Sequence, residues 1–198
     1  MTRTSPRSVE LMRSYYTAQQ IRDAEAPLLA SLPDGVLMRR AAFGLATAIS
    51  RELGTVNGRT VCAVVGSGDN GGDALWAATL LKRRGAGARA VLLNPDKAPP
   101  KALAAFRAAG GRIVETVPAA TDLVIDGVVG ISGSGALRPN AAEVFAAVEQ
   151  AGIPVVAVDL PSGLDVHTGA AAGAHVDAAL TVTFGGLKPV HALGRCGR

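Results

Sequence analysis

The sequence predicts a three-layer α/β/α sandwich of Rossmann type, with a mainly parallel sheet preceded by two helices. Two observations carry this. From Thr60 onward, short apolar runs alternate with helix-like segments, and such alternation implies right-handed βαβ crossovers and a parallel sheet. The runs themselves, such as Val61 to Val65 and Pro154 to Val158, are nearly continuous in Val, Ile and Ala. That pattern marks strands covered on both faces. With 198 residues and no internal repeat or linker, one domain over 13–198 is expected behind a flexible N-terminal arm, 1–12.

The elements follow in order. Thr17-Ala18-Gln19-Gln20 is a capping box, with Thr17 as N-cap and Gln20 at the third helical position. That helix runs to about Leu32, where Pro33-Asp34-Gly35 breaks it. A second spans about Val36 to Leu53, with Leu37, Ala41, Leu45 and Ile49 at helical spacing and Gly54 closing it. Val61 to Val65 is the first strand, and a helix over about Gly72 to Arg84 ends at Gly85. Ala88 to Leu93 is a strand, Lys101 to Ala109 a helix, Arg112 to Glu115 a short strand and Asp122 to Asp126 a fourth. A helix over about Ala141 to Ala151, the strand Pro154 to Val158 and a last strand at Ala179 to Phe184 complete the series.

Composition narrows the function classes. The formal charge of +4 comes from scattered arginines, with no basic block and no aromatic interleaving, so nucleic acid is not an expected partner. No apolar run approaches the roughly 20 residues of a spanning helix. The polar first ten residues, with Pro6, do not read as a signal peptide. Cys62 and Cys196 are far apart and form no metal-like pair. Cys62, inside the first strand pattern, reads as a small core residue, and a cytoplasmic location is expected.

Ligands of open parallel sheets bind beyond the carboxyl ends of the strands, and four polar clusters fall there. They are Asp69, Asn70 and Asp73 after the first strand, Asp126 with the glycine loop after the fourth, Asp159 with Ser162 after the fifth, and Lys188 after the last. Each has a plainer reading. Asp69 or Asn70 serves as the N-cap of the next helix; Gly130 to Gly135 is a flexible connection; Ser162 bonds its own backbone in a turn; Lys188 is a solvated lysine. Asp159 resists that treatment, because it directly ends an apolar strand where a buried carboxylate needs a partner.

Gly66-Ser67-Gly68-Asp69-Asn70-Gly71 matches a dinucleotide fingerprint by letter. However, Leu92-Leu93-Asn94 stands where the ribose-binding acid belongs. The acids Asp69 and Asp73 also repel a phosphate. Gly130 to Gly135, free of acids, is the better pyrophosphate cradle. The first turn instead suits a cation, because the Asn70 carbonyl, Asp126 carboxylate and Ser162 hydroxyl are hard oxygen ligands. His167, His175 and His191 have no metal-ligand spacing, and Gly130-Ile131-Ser132-Gly133 is not a nucleophile elbow.

Several separated motifs, in order, resemble the NAD(P)H-hydrate epimerases, the YjeF N-terminal domains. They are Gly66-Ser67-Gly68-Asp69-Asn70-Gly71-Gly72-Asp73, the acid-led loop Asp126 to Gly133, Val158 to Asp165 followed by Thr168-Gly169, Thr181 to Phe184 before Lys188, and Leu37 to Ala41. The resemblance covers about Tyr16 to Pro189. It departs at position 69, Asp where the family usually has Asn.

This resemblance implies an isomerase of nicotinamide coenzyme repair, interconverting the R and S forms of NADH or NADPH hydrated at C6 (NAD(P)HX). It implies K+ held by Asn70, Asp126 and Ser162. Substrate contacts would come from Asp69, Asn70, Gly71, Gly72 and Asp73, from Gly130, Ile131, Ser132, Gly133, Ser134, Gly135 and Ala136, and from Asp159. Asp159 is expected as the acid/base group, with Lys188 lowering the energy of its charged state. A homodimer through the N-terminal helices and a partner dehydratase acting on the S form are also implied. The family continues past the lysine loop into another strand, so this chain is expected to be either a truncation or the N-terminal part of a bifunctional protein carrying the dehydratase behind it. A non-catalytic nucleotide- or ADP-ribose-binding module on the same scaffold is the alternative, and an interaction protein a third class.

Overall fold

A computed structural model of the chain describes residues 13–131, 133, 135–194 and 196–197. The expected arm over 1–12, and Ser132 and Ser134 of the glycine loop, lie outside the described residues. Two helices open the chain, α1 (Ala18–Ser31) and α2 (Val36–Leu53). The capping box forms as expected, with Thr17 and Gln20 satisfying each other's backbone amides.

The alternating part then gives β1 (Thr60–Val65), α3 (Asp69–Arg83), β2 (Gly87–Leu92), α4 (Pro100–Ala108), β3 (Arg112–Ile113), β4 (Leu123–Gly127), α5 (Pro139–Gln150), β5 (Val155–Val158), β6 (Leu180–Val182) and α6 (Val190–Leu193). The strands form one sheet in the order β3-β2-β1-β4-β5-β6, every pair parallel. The order reverses between β1 and β4, so the loops after these strands diverge and leave a crevice.

Alternation along each strand assigns the two faces. Val61, Ala63 and Val65 of β1 and Leu123 and Ile125 of β4 pack with α2, α3 and α4. Cys62, Val64 and Val124 pack instead with Phe145 and Val148 of α5. Cys62 is thus the core residue expected. The second helix therefore belongs to one layer of the sandwich, lying against α3. Ahead of α1, the Tyr16 amide donates to Leu187 O at 2.7 Å. The start of the described chain is thereby tied to the loop that carries Lys188.

Two sequence expectations are corrected here. The third helix begins at Asp69 rather than near Gly72, and its N-cap is Gly68, which offers no side-chain cap. Neither Asp69 nor Asn70 is the cap, so both side chains are available to the crevice. Glycines 66, 68, 71 and 72 all lack positive φ, so this turn needs glycine for close approach instead. A Cβ on Gly71 would sit 2.3 Å from Gly66 O. The other correction concerns the two edge strands, which are shorter than the runs that encode them: Arg112–Ile113 and Leu180–Val182. Val114 still donates to Ala90 O at 2.9 Å, but pairing stops there.

Candidate active site

A cavity of about 780 Å³ opens at the crevice, within the size range of small-molecule sites. Its walls bring together Asp69, Asn70, Asp73, Gly130, Ile131, Asp159 and Lys188, with Leu28 and Leu29 of α1 and Met38 of α2 on the facing side. Gly71, Gly72, Gly133, Gly135 and Ala136 do not reach this wall. Gly72 is covered by Met38, whose Cε lies 2.8 Å from where a Cβ would stand.

Asp159 ends β5 in a strained conformation. Its φ is 69°, and it is the one non-glycine residue with positive φ among the described residues. Leu160 N donates to Val158 O at 2.8 Å across it, closing a tight three-residue turn. Such strain concentrates at functional sites. Asp159 Oδ1 accepts from Lys188 Nζ at 2.5 Å and from Thr183 Oγ1 at 2.9 Å. Lys188 Nζ also donates to Thr183 Oγ1 at 2.7 Å and to Phe184 O at 2.8 Å. All three ammonium protons are therefore used, and the lysine is 1% exposed. It is a buried counter-ion, not the solvated lysine of the plainer reading. No hydrogen bond falls on Asp159 Oδ2 among the described residues, which leaves that oxygen for the cavity.

Asp73 stands on α3, 7% exposed, with Oδ1 unpartnered. Burial pushes its carboxyl up to about 8, and the negative charges of Asp69, Asp159 and Glu25 add to this. At neutral pH it is mainly the neutral acid. The cavity thus holds two carboxyl groups in opposite states, Asp159 ionised against Lys188 and Asp73 protonated.

The expected cation ligands also converge, around Val129. Asn70 Nδ2 donates to Val158 O at 2.7 Å and to Val129 O at 3.1 Å. With its nitrogen so placed, Asn70 presents Oδ1 as an acceptor beside Gly130, where a Cβ would come within 2.5 Å of it. Ser162 Oγ donates to Asp126 Oδ1 at 2.7 Å and accepts from Val129 N at 3.0 Å. Ser162 N and Val128 N donate to the Asp126 carboxylate at 2.8 and 3.2 Å. Ser162 is therefore bound to Asp126, not to its own turn.

Asp126 and Ser162 are fully buried, and burial raises the Asp126 carboxyl to about 6 against those hydrogen bonds. Asp126 makes no ion pair with a described side chain. A buried carboxylate beside a hydroxyl oxygen and with no protein counter-charge fits a hard cation. Among the described residues no group of three His, Cys, Asp or Glu could hold a metal.

Thr183 and His191 were missed as site residues from sequence. His191 Nε2 lies 2.8 Å from Asp159 O, and its Nδ1 accepts from Lys188 N at 2.8 Å. The available signal was its position three residues after Lys188, past Pro189, where a turn folds it back.

Comparisons with known proteins bear on the family. Residues 34–190 match the family model described as YjeF-related protein N-terminus. The chain is 76% identical over 191 residues to the bifunctional NAD(P)H-hydrate repair enzyme Nnr of Mycobacterium tuberculosis strain H37Rv, covering 94% of this chain and 40% of that protein. It thus spans less than half the length of this relative. It is 43% identical over 190 residues to the NAD(P)H-hydrate epimerase of Microbacterium testaceum, covering 91% of this chain and 72% of that protein. The crystal structure of the yeast protein ynu0 shares the fold, with a TM-score of 0.77 at 21% identity over 90% of this chain and 83% of that one. A family match over most of the chain, with relatives this similar, shows that the chain belongs to the YjeF-related protein N-terminal family.

Proposed function

We propose that this chain is an NAD(P)H-hydrate epimerase, an isomerase that interconverts the R and S forms of hydrated NADH and NADPH in coenzyme repair. The observation that carries the reading is the buried Asp159–Lys188 pair, held at a strained turn and facing a cavity of about 780 Å³. The names of the mycobacterial and Microbacterium relatives support the same activity.

The chemistry follows from the two carboxyl states. C6 of the hydrate bears a hydroxyl and is bonded to ring nitrogen N1. Asp159, ionised, accepts the hydroxyl proton as the C6–N1 bond breaks and C6 becomes an aldehyde carbon. The bond's electron pair goes to N1, which takes a proton from neutral Asp73. Rotation about the C5–C6 bond offers the other face, and reclosure returns both protons. A carboxylate held in an ion pair with a buried ammonium, beside a carboxyl that burial keeps neutral, suits such acid/base division.

Asn70, Asp126 and Ser162 would hold potassium, whose positive charge, when bound, compensates the buried Asp126 carboxylate. Gly130 and Ile131, at the cavity wall, begin the loop proposed for the pyrophosphate. The S epimer would pass to a dehydratase, which we place in the remainder of a bifunctional protein like the mycobacterial relative.

The test follows R and S hydrates by chiral chromatography. Wild type equilibrates them, and Asp159→Asn slows this by about 100-fold or more. Near-normal interconversion by Asp159→Asn would remove Asp159 from its role. Binding of the hydrate without turnover by wild type would instead mark a non-catalytic nucleotide-binding module.

A further inference from the structure

We propose that His191 is a positioning residue for Asp159 and Lys188, locking the main chain of one to the main chain of the other. The role deepens the epimerase reading and rests on it.

The hydrogen bonds fix the tautomer. Lys188 N–H can only donate, so the His191 Nδ1 that it meets at 2.8 Å must be an unprotonated acceptor. The neutral ring therefore carries its proton on Nε2, which donates to Asp159 O at 2.8 Å. Both contacts need this one tautomer. They close a ring of interactions: Asp159 O to His191, His191 to Lys188 N, and Lys188 Nζ back to Asp159 Oδ1 at 2.5 Å.

Such a ring has a task at this position. A non-glycine residue stays at φ 69° only where its surroundings over-determine it. Among the described residues, the main chain of Asp159 has two clamps outside its own turn. One is its N–H to Val182 O at 2.8 Å, and the other is His191 on its carbonyl. Loss of the carbonyl clamp lets the peptide after Asp159 relax and turns the carboxylate away from both Lys188 and the cavity. His191 lies outside the cavity wall and has no hydrogen bond to Asn70, Asp126 or Ser162, so it acts through Asp159 rather than on the ligand.

The test compares wild type, His191→Leu and His191→Gln in the 198-residue chain. Readouts are hydrate epimerisation, backbone amide exchange and side-chain 15N spectra. A leucine side chain makes neither bond; a glutamine amide reaches the Nε2 position and can still donate to Asp159 O. His191→Leu should lose at least about tenfold in kcat with KM changed less than about threefold, since the cavity residues other than Asp159 stay in place. The amides of Asp159 and Leu160 should exchange at least about tenfold faster, while those in the core of α3 keep their rates. His191→Gln should recover more than half of both losses on a logarithmic scale. The wild-type ring should show a protonated Nε2 and a bare Nδ1.

The proposal is overturned by the opposite tautomer, by a folded His191→Leu with unchanged kcat, by unchanged exchange at Asp159 and Leu160, or by glutamine performing no better than leucine. If wild type itself fails to equilibrate the epimers, the epimerase reading falls. The tautomer and exchange rates still decide whether His191 clamps Asp159. If His191→Leu does not fold, the glutamine variant and the wild-type spectra carry the decision.

Discussion

Asp73 makes the buried acid measurable without any substrate. In the folded chain its carboxyl is raised from an ordinary 3.8 to about 8, first by burial and then by Asp69, Asp159 and Glu25. Well below its ordinary value the group is protonated in both folded and unfolded chains and favours neither. Between about 4 and 8 the unfolded chain has released this proton while the folded chain retains it. Stability therefore falls as pH rises through that window, by up to about 1.4 kcal/mol per pH unit, and levels off above the folded value. From pH 5 to pH 7 the largest fall is about 3 kcal/mol; relaxation and water entry around the group bring the expected value to about 1–3 kcal/mol.

Asp73→Asn removes the titration at nearly constant volume. Urea unfolding of both proteins at pH 5, 6 and 7, at one fixed potassium concentration, isolates the term, because the other titrating groups cancel. The stability of the Asn variant relative to wild type should climb by about 1–3 kcal/mol from pH 5 to pH 7. Parallel curves would refute the assignment of a neutral, buried Asp73, and with it the donor proposed for N1.

Two further tests address the cation and the turn. KCl should raise the wild-type Tm above its value in tetramethylammonium chloride of equal ionic strength, and Asp126→Asn should erase most of that increment; an equal increment in the variant would remove Asp126 as a ligand. Gly71→Ala places a Cβ 2.3 Å from Gly66 O, backbone against backbone, so a loss of about 2–4 kcal/mol is expected in chemical unfolding, and a variant as stable as wild type would contradict the close approach.

Much of this molecule was legible in its residues because the signals were local. The capping box at Thr17, the Pro33-Asp34-Gly35 break and the continuous Val and Ile runs are each read within a few positions, and all appear in the fold. The parallel sheet follows from alternation alone, since parallel strands need the intervening helices. The ends of strands were less legible. The run Ala179 to Phe184 pairs over only Leu180–Val182, and the residues after it carry the site instead. Thr183 turns its hydroxyl to Asp159, and Phe184 gives its carbonyl to Lys188.

What the sequence determined by itself was the set of chemical groups and their placement at one edge of a sheet. Strand–helix alternation puts Asn70, Asp159 and Lys188 beyond carboxyl ends, and Asp126 within the last residues of β4, without reference to any contact. Which groups meet, and in which charge state, was decided only by tertiary structure. Burial depends on what every other element covers. Lys188 becomes a counter-ion because Thr183 and Phe184 take up its protons and solvent is excluded. Asp73 becomes a neutral acid because α3 buries its carboxyl, in a wall that also holds other negative charges. His191, featureless as a lone histidine, gains its role because a turn after Pro189 brings its ring between Lys188 N and Asp159 O, 32 residues apart in sequence from the latter. Hydrogen-bond geometry at such separations is a property of the closed fold, and no spacing along the chain encodes it.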